Sequence, residues 1–185
     1  MSGVSKAIVQ PLLSWYDAGH RDLPWRSEPA PYRVWVSEIM LQQTRVEAVR
    51  GYFSRWMNAL PDIPALAAAD EAVYTKLWEG LGYYSRVRNL HRAAVLLCEE
   101  YGGELPADYD RLLALPGVGE YTAGAVASIA FGLPVPAVDG NVLRVAARLD
   151  NDFTPITDAK FKKQTRERFA ALMPSDRPGD LNQSL

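Results

Sequence analysis

One cysteine, Cys98, stands in a chain of 185 residues. A single thiol excludes an internal disulfide framework and any metal cluster held by several cysteines of this chain, and it fits a reducing compartment. Long apolar runs are missing too. The opening stretch MSGVSKAIVQPLLSWYDAG has no uninterrupted apolar segment of secretory type, and nothing later approaches the roughly 20 apolar residues of a membrane span. A cytoplasmic protein with no membrane contact is therefore expected. Low-complexity tracts and repeats of fixed period are absent, which argues against a solenoid or a disordered tail. An excess of positive charge is also lacking: the net charge is −2, which counts mildly against nucleic acid, whose affinity comes largely from phosphate neutralisation by Lys and Arg.

What is present is an ordinary globular composition, 48% hydrophobic and 23% charged, long enough to bury a substantial core. Charge is unevenly distributed. Glu99, Glu100, Glu104, Asp108 and Asp110 gather in one region, whereas Arg86, Arg88, His91 and Arg92 form a basic stretch beside Tyr83 and Tyr84. These charges read first as solvated helix faces, with a locally basic surface as the alternative.

Apolar positions recur at helical spacing almost throughout, as in Ile8, Leu12, Leu13 and Tyr16, then Trp35, Ile39, Val46, Val49, Phe53 and Trp56. The 13 prolines and 13 glycines fall mainly between periodic segments. An all-α chain follows, with helices near 5–18, 33–41, 45–58, 69–78, 86–101, 108–115, 120–131, 141–149 and 158–172. The break GLPVPAVDGN at 132–141 suggests two units, 29–136 and 1–28 plus 137–185, with a cleft between them as the natural site.

Three segments carry candidate chemistry. In LPGVGEYTAGAVASIAFG, residues 115–132, a helix ends, a Pro-Gly-Val-Gly turn follows and a small-residue helix begins, which is a helix-hairpin-helix signature. Gly117 and Gly119 flanking Val118 would allow positive φ and close approach, so that turn amides and a helix N-terminus point at one DNA phosphate. A tight turn in an ordinary bundle is the plainer alternative. Asp139 precedes Gly140, Asn141 and a periodic helix, so it reads as an N-cap. The dipole and amides that favour negative charge there also suit a carboxylate stabilising a substrate cation. Glu38, in WVSEIMLQQT, has apolar neighbours that would raise its pKa and make it a general acid opposite such a carboxylate, the pairing that cleaves glycosidic bonds. Otherwise it is a surface Glu. Gln42, Gln43 and Thr44 are a loop or a set of groups for base edges, and Tyr83 with Tyr84 either pack a bundle corner or wedge between bases.

Taken together, LPWR at 23–26, SEIMLQQT at 37–44, GLGYYSR at 80–86, the hairpin at 115–132 and VDGNVLRV at 138–145 resemble the adenine DNA glycosylases of the helix-hairpin-helix superfamily. The resemblance implies the fold of these glycosylases, a six-helix bundle plus a partial second helical domain. It implies hydrolysis of the bond to adenine mispaired with 8-oxoguanine or guanine in double-stranded DNA, the nucleotide being flipped from the duplex. Glu38 would then protonate adenine and Asp139 stabilise the sugar cation, with Tyr121 and Asn141 supporting them. Trp25, Arg26 and Leu41 resemble adenine-pocket residues, and Gln43 and Tyr83 those inserted around the opposing base.

Endonuclease III-like bifunctional relatives carry a lysine where Tyr121 stands, so a monofunctional enzyme is implied. Thymine glycosylases acting on G·T mismatches share much of the pattern and form the main enzymatic alternative. In the family, a segment like PGDLNQSL leads on to a pocket carboxylate, a four-cysteine loop holding a [4Fe-4S] cluster and an 8-oxoguanine-recognising domain. Without these the chain looks truncated, and an inactive DNA-binding fragment is the third reading. The resemblance further implies a monomer acting at the bacterial nucleoid and Na+ or K+ at the hairpin carbonyls.

Overall fold

A computed structural model describes residues 5–185 and contains eleven α-helices and no strand among them. In order they are α1 Val9–Gly19, α2 Pro31–Leu41, α3 Val46–Ala59, α4 Ile63–Ala67, α5 Glu71–Trp78, α6 Ser85–Tyr101, α7 Tyr109–Leu113, α8 Glu120–Phe131, α9 Gly140–Asp150, α10 Ala159–Ala170 and α11 Pro178–Ser184.

Two helices organise the rest. In α2, residues Tyr32 and Val34–Met40 are all buried, the burial pattern of a helix surrounded by protein rather than lying on it. Its N-terminus is set by Pro31, whose fixed φ suits the first turn and whose missing N–H costs nothing there. Helix α8 buries a continuous run from Thr122 to Ser128. Its small side chains let other backbone come close: a Cβ on Gly124 would lie 2.5 Å from the Pro136 carbonyl oxygen. We expect Gly124→Ala to cost roughly 1–3 kcal/mol, the scale of overpacking in a tight interior, read as a lowered melting temperature.

Between α2 and α8 in sequence, α3 to α7 close one large core around Trp35, Trp56 and Trp78, each at most 1% exposed. Trp56 and Trp78 meet edge to face at 5.6 Å, and Trp56 Nε1 donates to the Tyr32 hydroxyl at 3.0 Å. That hydroxyl in turn donates to the Leu60 carbonyl at 3.0 Å, and Trp78 Nε1 donates to the Gly82 carbonyl at 3.0 Å, whereas the buried Trp35 Nε1 has no partner among the described residues. Smaller apolar clusters join α1 to α11 through Val9, Leu13 and Leu181, and α9 to α10 through Val142, Ala146 and Phe169.

Two helices were not expected from periodicity. Helix α4 is five residues long, too short to show a repeat; it is started by Asp62, whose side chain accepts from the Ala65 N–H at 2.8 Å. Helix α11 begins with Pro178-Gly179, which reads as a breaker. Here the proline occupies the first turn, and Gly179 lies where a Cβ would come within 2.8 Å of the Ile129 Cα, so α11 packs directly on α8.

That contact positions the segment between α8 and α9. Asn182 of α11 donates to the Ser128 hydroxyl at 2.7 Å and to the Val135 carbonyl at 2.9 Å, and accepts from the Ala137 N–H at 3.0 Å. Pinned by one side chain and two prolines, the segment delivers Asp139 to the start of α9 beside α8 and α2.

Candidate active site

Glu38 from α2, Tyr121 from the first turn of α8 and Asp139 at the head of α9 line one cavity of about 510 Å³. Trp25, Arg26, Leu41, Thr44 and Asn141 line it too, so eight of the residues singled out in the sequence meet there. Gln42 and Gly119 instead face a second cavity on the other side of Tyr121 and Asp139.

Glu38 is 9% exposed, and its pKa is pushed up to about 7. Loss of water around the charged form is the main cause; a hydrogen bond with Tyr121 and the charge of Arg26 pull the other way, and the negative Asp139 adds to the rise. The Tyr121 hydroxyl is raised in turn, by the charge of Glu38 first, then by burial and Asp139, and so stays a phenol. Its proton is available to Glu38.

Asp139 is held differently. Its Oδ1 accepts from the backbone N–H of Asn141 at 2.7 Å and of Val142 at 2.9 Å, and its Oδ2 accepts from Asn141 Nδ2 at 2.8 Å. It is thus a helix cap, as expected, and also a member of the cavity wall. Arg144 donates to the Asn141 side-chain oxygen, which fixes the orientation of that amide. The two carboxyl groups share one cavity, one desolvated and the other hydrogen-bonded from three directions.

On the far wall Trp25 is buried edge-on to Phe53 at 5.4 Å, and Arg26 lies over the Tyr16 ring at 5.6 Å. Gln42 Nε2 donates to the Thr122 hydroxyl at 3.3 Å, tying the end of α2 to α8, and the Thr44 hydroxyl donates back to the Gln42 carbonyl at 3.3 Å. Gln43 and Tyr83 line neither cavity. Both are exposed and both have left-handed backbone, φ 57° and 47°, a region that costs a non-glycine residue energy and marks a constrained loop tip.

The hairpin joins α7 to α8 through Pro116–Gly119. Gly117 has φ +76°, and a Cβ there would strike Asn89 at 2.6 Å, so glycine is required twice over. Gly119 departs from expectation: its φ is −97°, and a Cβ would meet nothing within 4 Å. No contact among the described residues calls for glycine at that position. Val118 is turned into the core and anchors the loop.

The basic stretch on α6 does not form a free positive face. Arg88 pairs with Glu71, His91 stacks on Tyr74 at 4.6 Å, Arg92 contacts Asn89, and Arg86 is turned inward against backbone carbonyls. Sequence reading also passed over Asn182 and Gln183, which line the cavity from α11, and Trp15, which lines it while 61% exposed. Asn182 sits in a stretch with no periodicity, and its partners are the Ser128 hydroxyl and two backbone groups whose positions no local pattern reveals.

Cys98 is half-buried, and no three His, Cys, Asp or Glu among the described residues could hold a metal ion. The residues present do not supply a site for a four-cysteine cluster, and no step below runs through one. No helix among the described residues is long and apolar enough to cross a membrane.

A buried acid facing a capped carboxylate in an all-α cleft, next to a helix-hairpin-helix loop, defines the class, and comparison with known proteins agrees. Residues 36–173 match the family described as HhH-GPD superfamily base excision DNA repair protein. The chain belongs to this family. It is 46% identical over 182 residues to the adenine DNA glycosylase of Mus musculus, covering 94% of this chain and 35% of that protein. With the adenine DNA glycosylase of Mycolicibacterium smegmatis it shares 44% identity, covering 89% of this chain and 56% of that protein. The chain thus spans between about a third and a little over half of these relatives. Among solved structures, a thermostable thymine-DNA glycosylase superposes with a TM-score of 0.85 at 26% identity, covering 97% of this chain and 82% of that one. A trapped endonuclease III–DNA covalent intermediate shares the fold, with a TM-score of 0.78 at 24% identity and coverage of 97% and 84%.

Proposed function

We propose that this cleft hydrolyses the N-glycosidic bond of adenine mispaired with 8-oxoguanine or guanine in double-stranded DNA, as a monofunctional glycosylase. The observation that carries the reading is the desolvated Glu38, with a pKa of about 7, facing Asp139 across one cavity. Half of such an acid is protonated near neutral pH, where a general acid is most useful. Glu38 gives its proton to the adenine ring as the bond from N9 to the sugar C1′ breaks, and the bonding pair leaves with the base. Asp139 stabilises the positive charge left on the sugar. Water then adds its oxygen to C1′ and loses a proton to the Glu38 carboxylate, which restores the starting state. Tyr121 and Asn141 hold the two carboxyl groups in place. No lysine is among the described residues lining this cavity, which supports hydrolysis by water over Schiff-base attack on the sugar.

Trp25, Arg26 and Leu41 form the wall against which the extruded adenine packs. Gly117, Val118 and Gly119 present the hairpin to one phosphate, and the open space at Gly119 is explained by backbone approaching from outside the chain. Gln42 and Thr44 position the end of α2, while the strained, exposed Gln43 and Tyr83 enter the base stack around the flipped nucleotide. The division into 29–136 and 1–28 plus 137–185 belongs to the same proposal; the small clusters joining α1 to α11 and α9 to α10 support it, while Leu23 and Trp25 pack into the large core instead. Na+ or K+ at the hairpin, a monomeric state and action at the bacterial nucleoid rest on the resemblance alone.

A second reading, removal of thymine from G·T mismatches, is favoured by the close superposition on the thymine-DNA glycosylase. Single-turnover assays on A·8-oxoguanine and G·T duplexes separate the two. Adenine release from the first without thymine release from the second is the expected result, and the reverse pattern overturns the adenine assignment.

A further inference from the structure

We infer that Arg86 is a positioning residue that locks the two DNA-facing loop tips, 42–44 and 81–84, into one rigid unit, so that Gln43 and Tyr83 engage a duplex together. The DNA half of this inference rests on the function proposed above; the clamp itself rests on geometry alone.

Arg86 lies on α6, yet its side chain leaves the helix surface and ends between the two loops. Its Nη1 donates toward the carbonyls of Ile39 at 2.9 Å, Met40 at 3.2 Å and Gln42 at 2.6 Å. Its Nη2 donates toward the carbonyls of Leu81 at 3.0 Å and Gly82 at 3.2 Å, and reaches the Thr44 hydroxyl at 3.5 Å. One amino group therefore serves mainly the end of α2 and the other mainly the turn before α6, with Thr44 linking the two. The guanidinium carbon also lies over the rings of Trp78 at 5.3 Å and Tyr83 at 5.6 Å.

Each loop carries one exposed non-glycine residue in left-handed backbone, Gln43 and Tyr83, and such strain persists only where surroundings hold it. Arg86 is the common partner of both. The carbonyls at the end of α2 would otherwise be unpaired acceptors at the negative end of the helix dipole, so a cation is well placed there. Only a planar fork with several donors can satisfy both loops at once; a lysine ammonium is a point charge with three donors and cannot span them.

The test uses hydrogen exchange on the whole chain. The Thr44 amide, which donates to the Leu41 carbonyl, and the Leu81 amide, which donates to the Trp78 carbonyl, report the two loops. In the unaltered protein both are expected to open in a single step as denaturant rises. In Arg86→Lys both are expected to exchange at least tenfold faster, while the buried amides of α8 stay unchanged. In parallel, the preference for an A·8-oxoguanine duplex over a matched A·T duplex should fall at least fivefold in Arg86→Lys, with the melting temperature held within a few degrees. Independent opening of the two loops in the unaltered protein overturns the inference, as does a uniform rise in exchange across the chain. Loosening of only one loop in the variant also overturns it. Joint loosening in a protein whose parent releases no adenine sinks the proposed function and leaves the clamp standing.

Discussion

Glu38→Gln is expected to abolish adenine release while making the protein more stable in alkaline solution. Removing a general acid from a site of this kind costs about 10²–10⁴-fold in rate, so the single-turnover reaction should fall toward background. The stability gain follows from the raised pKa. Glu38 moves from an ordinary 4.5 to about 7 on folding, so the folded state holds this proton more tightly than the unfolded chain. The group therefore costs nothing below about 4.5, where both states are protonated, and its penalty grows as pH rises and is complete above about 7. At about 1.4 kcal/mol per pH unit the ceiling is about 3 kcal/mol. Gln is uncharged, fills the same volume and still accepts a hydrogen bond from Tyr121. Thermal melts should thus show parent and variant equal near pH 4 and the variant clearly higher near pH 8. A variant less stable than its parent at pH 8 contradicts the burial argument, whatever happens to the rate.

Asp139→Asn is expected to separate the capping role of this residue from the catalytic role proposed for it. Asn caps helices about as well as Asp, because its amide oxygen accepts the same backbone N–H groups. The bonds from the Asn141 and Val142 amides at 2.7 and 2.9 Å can therefore persist, while the bond from Asn141 Nδ2 is lost because the new amide nitrogen faces it, so stability should fall by about 1 kcal/mol. On the proposed mechanism the negative charge that steadies the sugar cation is then gone, and the loss of one preorganised electrostatic partner costs about 10²–10³-fold or more in rate. Asp139→Ala should lose both functions, with a further destabilisation of about 1 kcal/mol from the vacated cap. If Asn supports full base release and Ala does not, Asp139 is a cap and no more.

A feature is legible in the sequence to the extent that its signal is local. Helices α2 and α8 were readable because their apolar and small residues run through the whole element. Glu38 stood out for the same reason: a carboxylate flanked by Trp35, Ile39, Met40 and Leu41 has few ways to reach water on a helix buried nearly all round. Asp139 was readable as a cap from the Gly and Asn after it, although its place in the cavity depends on Asn182, some forty residues further on.

What escaped sequence reading depends on contacts between distant backbone. Arg86 looks like one charge in a basic helix, and nothing nearby shows that its partners are carbonyls more than forty positions earlier. The two hairpin glycines look alike in sequence, yet Gly117 is required by its own backbone and by Asn89, while Gly119 is not required by any contact among the described residues. Helix α11 was hidden because Pro-Gly ordinarily ends a helix, and only the close packing of Gly179 on α8 turns it into a start.

The most direct test of the central claim is the pH dependence of single-turnover adenine release from an A·8-oxoguanine duplex. With Glu38 protonated in the active form, the rate should be level below about pH 7 on its acidic side and fall tenfold per unit above it, a limb that disappears in Glu38→Gln along with the activity. A rate that stays constant from pH 6 to pH 9, or a variant that keeps the parent's rate, would contradict the assignment of Glu38 as the acid.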